Sequence, residues 1–428
     1  MKGFRDLSNL SDPRGFLEKL FHVAVRAADP YAAIKAHLPD RPKGRVIVVG
    51  AGKAASQMAE AFERAWGEPV EGVVVARHGE IAVTQSIKVM QSAHPVPDDA
   101  GLRASRALLD AVKNLSADDL VIALISGGGS ALLPAPPDGF SLADEAALNR
   151  ALLASGAPIA AMNTVRKHFS QIKGGRLAKA AYPARVISLI VSDIPGDNPA
   201  FVASGPTVPD HATADDALQI VKDYHIALDP RILDAIRRAE APRPDEDVFS
   251  RNDVHVIASA RVSLEAAAIA ARAQGIEVAI LSDAIEGEAK EIGLMHAAMA
   301  REIALQNRPF QKPVLLLSGG ETSVTIGSGP YGKGGRNTEF LLAFALAIDG
   351  VKGIYALAAD TDGIDGSETN AGAFCDFTSA SRLRAAGVHG RQLLLRHDAY
   401  SAFQALDDLF VTGQTGTNVN DFRAILIV

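Results

Sequence analysis

The chain has 428 residues, 48% of them hydrophobic and 22% charged, with a formal net charge of −7. That is enough chain for two domains; no strongly basic stretch suits nucleic acid, and no apolar run approaches the ~18 residues of a membrane span. A single cysteine, Cys375, excludes an internal disulfide framework and a Cys-based zinc site, and fits a reducing compartment.

In chain order, the segment Met1-Lys-Gly-Phe-Arg-Asp6 lacks the apolar core of a signal peptide, so a cytoplasmic location is expected. The β-branched run 45–49 reads as a buried strand, and 53–66 as the helix after it. Strands follow at 72–76, 120–125 and 186–190, with a helix over 102–115. Alternation of this kind implies parallel strands joined by crossover helices, hence a doubly wound sheet. The polar, proline-bearing stretch 240–248 is the best linker candidate. A new strand is expected at 254–258, a helix at 264–274, and strands at 277–281, 314–317 and 354–357. The run 423–428 reads as a strand completing a second sheet. The fold expected is therefore α/β with two domains, 1–245 Rossmann-like and mostly parallel, and 246–428 smaller with a mixed sheet.

Three chemically loaded segments occur twice in the same order. The first set is Ser126-Gly-Gly-Gly-Ser130, Lys173-Gly-Gly-Arg176 and Ser192-Asp193-Ile-Pro-Gly-Asp197. The second is Ser318-Gly-Gly-Glu-Thr-Ser323, Lys333-Gly-Gly-Arg336 and Asp360-Thr-Asp362-Gly-Ile-Asp365. Unequal spacing excludes a regular repeat array. The pattern of strand, glycine turn, cation, strand and aspartates reads as an anion site beside a metal site, built twice. In Gly127, Gly128 and Gly129, and in Gly319 and Gly320, the lack of a Cβ lets backbone N–H groups converge on an anion.

Ahead of both sets stands Gly50-Ala-Gly52-Lys53-Ala-Ala55, which satisfies the fingerprint that seats a pyrophosphate on a helix N-terminus. Lys53 would crowd a dinucleotide, and strand 72–76 is not followed by the acidic residue that holds an NAD ribose. The P-loop spacing is absent. A cation opposes the helix dipole at that position, so Lys53 is assigned an anionic partner. Asp193, Asp197, Asp360 and Asp362 are placed as Mg²⁺ ligands, because Mg²⁺ takes one or two carboxylates plus phosphate oxygens. Asp365 is read as stabilising its own loop. Arg336 is either a phosphate cation or a structural pair. Thr415 and Asn418, in the small polar loop 412–421, form a candidate phosphate rim. Arg166 or Lys167 could hold a substrate carboxylate, and His168 is read as structural or substrate-orienting. The turns at His94–Asp98 and Ser204–Thr207 are expected to shape the cleft.

Taken together, the segments 49–55, 125–132, 163–168, 172–178, 191–197, 203–207, 318–322, 334–339, 360–366 and 415–421 resemble the MOFRL family of glycerate 2-kinases. The resemblance implies an active site in an inter-domain cleft and ATP-dependent phosphorylation of D-glycerate to 2-phosphoglycerate with a divalent metal. It places the catalytic lysine on Lys53 and the catalytic arginine on Arg336. Family members also carry the label hydroxypyruvate reductase, so an NAD(P)H-dependent reductase is the alternative enzyme, and a nucleotide or sugar-acid sensor the non-enzymatic one. The expected partner is glycerate alone, without nucleic acid or membrane, and homodimerisation is left open.

Overall fold

A computed structural model describes residues 12–79, 82–94, 96–327 and 330–428. The segment Met1–Asp6 and Pro95 of the first expected turn lie outside these residues. The described chain forms two compact units, residues 30–257 and residues 12–29 together with Ala258–Val428. No described helix is long and apolar enough to cross a membrane.

The strands of the first unit are β1 Val46–Ala51, β2 Glu71–Arg77, β3 Lys88–Ser92, β4 Leu120–Ser126, β5 Arg185–Val191 and β6 Asp253–Ala258. They lie in the order β3-β2-β1-β4-β5-β6, and the pairs from β3 through β5 are parallel. Alternate residues of β1 and β4 (Ile47, Val49 and Ala51; Val121, Ala123 and Ile125) enter one apolar core. The helix Ala55–Trp66 crosses over after β1 and ends on Gly67 in the left-handed region at φ 78°. This is a doubly wound sheet, and its order reverses between β1 and β4. The crevice at the C-terminal ends of those two strands is where such sheets bind ligands. The polar stretch Glu240–Val248 lies inside this unit, between the helix Pro230–Arg238 and β6.

The strands of the second unit are β7 Glu277–Glu288, β8 Val314–Ser323, β9 Ile354–Asp360, β10 Gly372–Asp376, β11 Leu409–Phe410 and β12 Asp421–Ile427. Their order is β11-β10-β9-β12-β8-β7. The sheet is mixed: β7 pairs parallel with β8, while β12 runs antiparallel to both β8 and β9. Period-two alternation buries both faces of β12. Phe422, Ala424 and Leu426 pack with Leu317 and Leu357 on one side, and Ile425 and Ile427 with Leu316 and Ala356 on the other. The helix Pro13–Ala27 belongs to this unit. Asp12 caps it by accepting from the Gly15 amide at 2.9 Å, and Phe16, Leu17, Leu20, Phe21 and Ala24 form its buried stripe. Phe21 meets Phe410 edge to face, with ring centroids 5.0 Å apart.

Candidate active site

In the first unit, two glycine loops stand at the ends of β1 and β4 and do different jobs. The loop after β1 is internal scaffold. Gly50 must be glycine because a Cβ there would come within 2.4 Å of the Leu124 carbonyl oxygen on the neighbouring strand. The amide of Gly52 donates to Val75, that of Lys53 to the Gly127 carbonyl at 2.9 Å, and that of Ala55 to Gly52. The Ala54 amide donates to Ser126 Oγ at 3.0 Å. The N–H groups that would cradle a dinucleotide pyrophosphate are therefore already used. The fingerprint Gly50-x-Gly52 serves here to dock one loop on the other.

The loop after β4 has the opposite accounting. Gly128 sits at φ 77° and opens the short helix Gly129–Leu132. Among the described residues the amides of Gly128, Gly129 and Ser130 find no acceptor, which is the arrangement an anion fills. Side chains that matter are pressed against this backbone. A Cβ on Gly127 would fall 1.6 Å from Asp193 Oδ2, and one on Gly128 would fall 3.1 Å from Lys53 Cγ and 3.3 Å from His94 Nε2. Lys53, His94 and Asp193 thus surround one glycine loop at the switch point. Burial, together with the charges of Lys53 and Arg77, lowers the pKa of His94 and keeps the imidazole neutral.

Ser130 is fixed from behind. Its hydroxyl meets Ser204 Oγ at 2.7 Å, and Ser204 Oγ donates to Asn163 Oδ1 at 3.1 Å. Three consecutive residues, Ala203 (φ 53°), Ser204 (φ 60°) and Gly205 (φ 58°), are left-handed, which is costly for the two that carry a Cβ. The first Lys-Gly-Gly-Arg element holds them there. The Gly174 amide donates to the Ser204 carbonyl at 3.0 Å and the Gly175 amide to the Gly205 carbonyl at 2.7 Å. Lys173 anchors the element as a buried ion pair, 3.0 Å from Glu145. Arg166 donates to Asn149 at 2.8 Å and to Asn163 at 3.1 Å. Lys167, 1% exposed, is paired with Asp210. Both expected substrate cations are thus engaged by the protein's own side chains.

The second unit departs from the expected repeat. Gly319 and Gly320 do not form a turn. They continue β8, paired with Phe422 and Asp421 of β12. The register between β7 and β8 shifts near Ile285, and a Cβ on Gly320, at φ 125°, would lie 2.2 Å from the Ile285 carbonyl oxygen. The glycines admit a bulged neighbouring strand. Lys333 lies on the surface, 3.4 Å from Glu368. Arg336 opens the helix Arg336–Ala347 inside a cage of carboxylates: Asp421 at 2.6 Å, Asp360 at 2.7 Å and Glu321 at 3.1 Å. Burial disfavours its charge, but these three carboxylates more than offset that and raise its pKa. Asp421 also pairs with fully buried Arg423. Three of the five guanidinium N–H groups of Arg336 are taken by this cage.

The expected metal ligands fall in different places. Asp193 lies on Gly127 of the first unit, with Asp197 four residues on. Asp360 is engaged by Arg336, and burial raises its pKa against the pull of that arginine. Asp362 Oδ1 accepts from the Ile364 amide at 2.8 Å, a local loop turn. Asp365 caps the helix after Gly335, accepting from the amides of Asn337 and Thr338 at 2.9 and 2.8 Å. Among the described residues no group of three or more His, Cys, Asp or Glu could hold a metal by itself. Thr415 Oγ1 donates to the Thr361 carbonyl at 2.5 Å, and Asn418 Oδ1 accepts from the Asn420 amide at 3.1 Å; both brace their loop. Sequence reasoning did not single out His94, Asn163 or Ser204 as chemically placed. The only available signals were the turns around His94 and Ser204 and the strand-end motifs near them.

The first unit is that of a phosphate-handling α/β protein: an open amide nest at the switch point, with a lysine and a carboxylate against it. The comparisons with known proteins narrow this class. Residues 16–237 match a domain of unknown function, DUF4147, and residues 314–421 match the MOFRL family. The chain is 38% identical over 407 residues to a D-glycerate 2-kinase of Thermotoga maritima, covering 95% of this chain and 96% of the relative. It is 48% identical over 417 residues to an Agrobacterium vitis protein named as a hydroxypyruvate reductase, covering 97% and 94%. A crystal structure of glycerate kinase from Thermotoga maritima superposes with a TM-score of 0.88 at 37% identity, covering 97% of this chain and 99% of that one. The chain belongs to the MOFRL family of glycerate kinases.

Proposed function

We infer that this chain is a D-glycerate 2-kinase, transferring the γ-phosphoryl group of ATP to the 2-hydroxyl of D-glycerate. The observation that carries this reading is the contrast between the two glycine loops of the first unit. The dinucleotide-like loop has spent its amides on the protein, whereas Gly128, Gly129 and Ser130 keep theirs, with Lys53 beside them. That supports phosphate handling over hydride transfer, the activity in the names of the Agrobacterium vitis relatives.

Phosphoryl transfer is achieved mainly by positioning and charge neutralisation. In the proposed mechanism the amides of Gly128, Gly129 and Ser130 hold phosphate oxygens, and Lys53 neutralises charge on the transferring group. The γ-phosphorus bond to the bridging oxygen breaks as the bond to the glycerate 2-oxygen forms. The hydroxyl proton passes to a base, for which Asp193 and neutral His94 stand beside Lys53. Arg336, held rigid by its carboxylates, is proposed as a further catalytic cation through its remaining N–H groups. Arg166, beside Asn163 and Ser204, is proposed to orient the glycerate carboxylate. A bound Mg²⁺ would neutralise phosphate charge; Asp193 suits it, since a single carboxylate suffices when phosphate oxygens and water complete the shell.

The test is a coupled ADP-release assay with D-glycerate and ATP, run beside NAD(P)H oxidation with hydroxypyruvate. ADP release without nicotinamide oxidation is expected; the reverse result ends the kinase reading. Exhaustive EDTA treatment should abolish the activity and added Mg²⁺ restore it, and full activity in EDTA would remove the metal from the mechanism.

A further inference from the structure

The hydroxyl of Ser130 belongs to a residue whose amide is proposed to hold phosphate, and counting donors locates its proton. Asn163 sets the count. Its Nδ2 donates to the Phe201 carbonyl at 3.2 Å, and its Oδ1 accepts from Arg166 Nη1 at 3.1 Å. Turning the amide over would set its NH₂ against the guanidinium and its oxygen against a carbonyl, so its orientation is fixed from both sides. Oδ1 can only accept. The one hydroxyl proton of Ser204, 3.1 Å away, is therefore committed to Asn163. Ser204 Oγ and Ser130 Oγ lie 2.7 Å apart and share a proton. Ser204 has none left, so Ser130 is the donor.

With its proton directed at Ser204, Ser130 Oγ has only lone pairs for anything else. A hydroxyl that donates is also a better acceptor. Ser130 is half-buried rather than sealed. A lone pair repels phosphate oxygens but suits the proton of a hydroxyl. The left-handed backbone of Ala203 and Ser204 is what brings Ser204 Oγ into this relay, and strain of that kind gathers at functional sites.

The other end of the relay is Arg166. Its Nε donates to Asn149 at 2.8 Å and its Nη1 to Asn163, which leaves Nη2 open among the described residues. One end can therefore hold an anion and the other can accept from a hydroxyl, the two contacts that a short hydroxy acid needs.

We propose that Ser130 is a specificity-determining residue for the acid substrate: its Oγ accepts a hydrogen bond from the 3-hydroxyl of glycerate. This assignment rests on the kinase reading, in which Arg166 holds the carboxylate. With C1 and C3 anchored at the two ends of one relay, the 2-hydroxyl lies between them and keeps its proton for the base. The amide of Ser130 serves the phosphate and its hydroxyl serves the acid.

Isothermal titration calorimetry on the full chain tests this with D-glycerate, with D-lactate, which lacks only the 3-hydroxyl, and with ADP in the presence and absence of Mg²⁺. The wild-type chain should bind D-glycerate more tightly than D-lactate. Ser130→Ala keeps the amide and removes Oγ. It should weaken D-glycerate binding about fivefold, as expected for one neutral hydrogen bond, and leave D-lactate and ADP unchanged. Weakened ADP with unaffected D-glycerate would overturn the proposal: a loss in both conditions makes the hydroxyl a phosphate donor, and a loss only with Mg²⁺ makes it a metal ligand. Equal weakening of the two acids would overturn it as well, since a distorted site loses both, and so would no change in either. Should Ser130→Ala fail to fold, Ser204→Ala decides. It removes the acceptor of the Ser130 proton and should narrow the same difference between D-glycerate and D-lactate; an unaltered difference counts against the relay. A wild-type chain that binds neither acid removes the kinase reading itself, and this assignment with it.

Discussion

The two Lys-Gly-Gly-Arg elements have the same four letters and opposite physical roles. In residues 173–176 the lysine is the buried member, locked to Glu145, and the glycine amides clamp a left-handed turn. In residues 333–336 the lysine is on the surface and the arginine is the buried member, inside a cage of three carboxylates. A short motif specifies which groups are available. Burial and the neighbouring strands decide which of them carries the charge balance.

Substitution should separate the two elements sharply. Lys173→Ala leaves Glu145 buried without its counter-charge, with only the Ala135 amide still donating to it, and should cost about 3–5 kcal/mol, the usual penalty for breaking a buried pair. Arg336→Ala exposes the mutual repulsion of Asp360 and Asp421 and should cost a similar amount. Lys333→Ala should stay within about 0.5 kcal/mol. Urea titration of the three variants checks this; a Lys333→Ala loss matching that of Lys173→Ala would mean that the elements are equivalent after all.

A second comparison sets Lys53 against Arg336 as proposed catalytic cations. Lys53→Ala should lower kcat at least ~100-fold, a loss typical of a preorganised charge, with an unchanged melting temperature. Arg336→Ala should lower kcat and stability together. Arg336→Lys should rescue little, because a point charge cannot bridge three carboxylates as a planar fork does. A Lys53→Ala enzyme with near-normal kcat and only a raised KM would confine that residue to ground-state binding.

A third comparison concerns pH and the buried core of the second unit. His296 donates from Nδ1 to the Ile292 carbonyl and accepts from Ser318 at Nε2. Burial lowers its pKa to about 4. The folded-state pKa lies below the ordinary 6.5, so the unfolded chain binds the extra proton first. Stability should therefore be full above pH 6.5 and fall as the pH drops from there towards 4, by at most ~1.4 kcal/mol per pH unit for one proton. His296→Gln should flatten that limb, as read from denaturant midpoints across the range; an unchanged slope would assign the acid sensitivity to other groups.

Much of the architecture was legible in the sequence because apolar periodicity reports buried strands directly. Runs such as 120–125 and 186–190 became β4 and β5, and 423–428 became β12 with a shift of two residues at its start. The glycine loop after β4 was legible too, since three consecutive glycines have few other uses. The second glycine pair was not. Gly319–Gly320 after a strand looks the same in sequence whether the chain turns or runs on, and only the bulge of β7 against it decides. Asp365, read in the sequence as stabilising its own loop, caps the helix Arg336–Ala347 through the amides of Asn337 and Thr338. The exhausted amides of Gly52, Lys53 and Ala54 were invisible for a related reason: their acceptors lie on β2 and in the loop after β4.

The position of β12 bears on how the molecule is made. This strand separates β8 from β9, yet it follows both in the chain. Until it emerges during synthesis, the second sheet remains two fragments, each with an unpaired edge, and Phe21 of the helix Pro13–Ala27 lacks its contact with Phe422. The first unit, by contrast, has every strand in hand once β6 has been made. Nascent chains should therefore carry a folded first unit and an exposed, aggregation-prone second one, and that interval is where a chaperone would be needed.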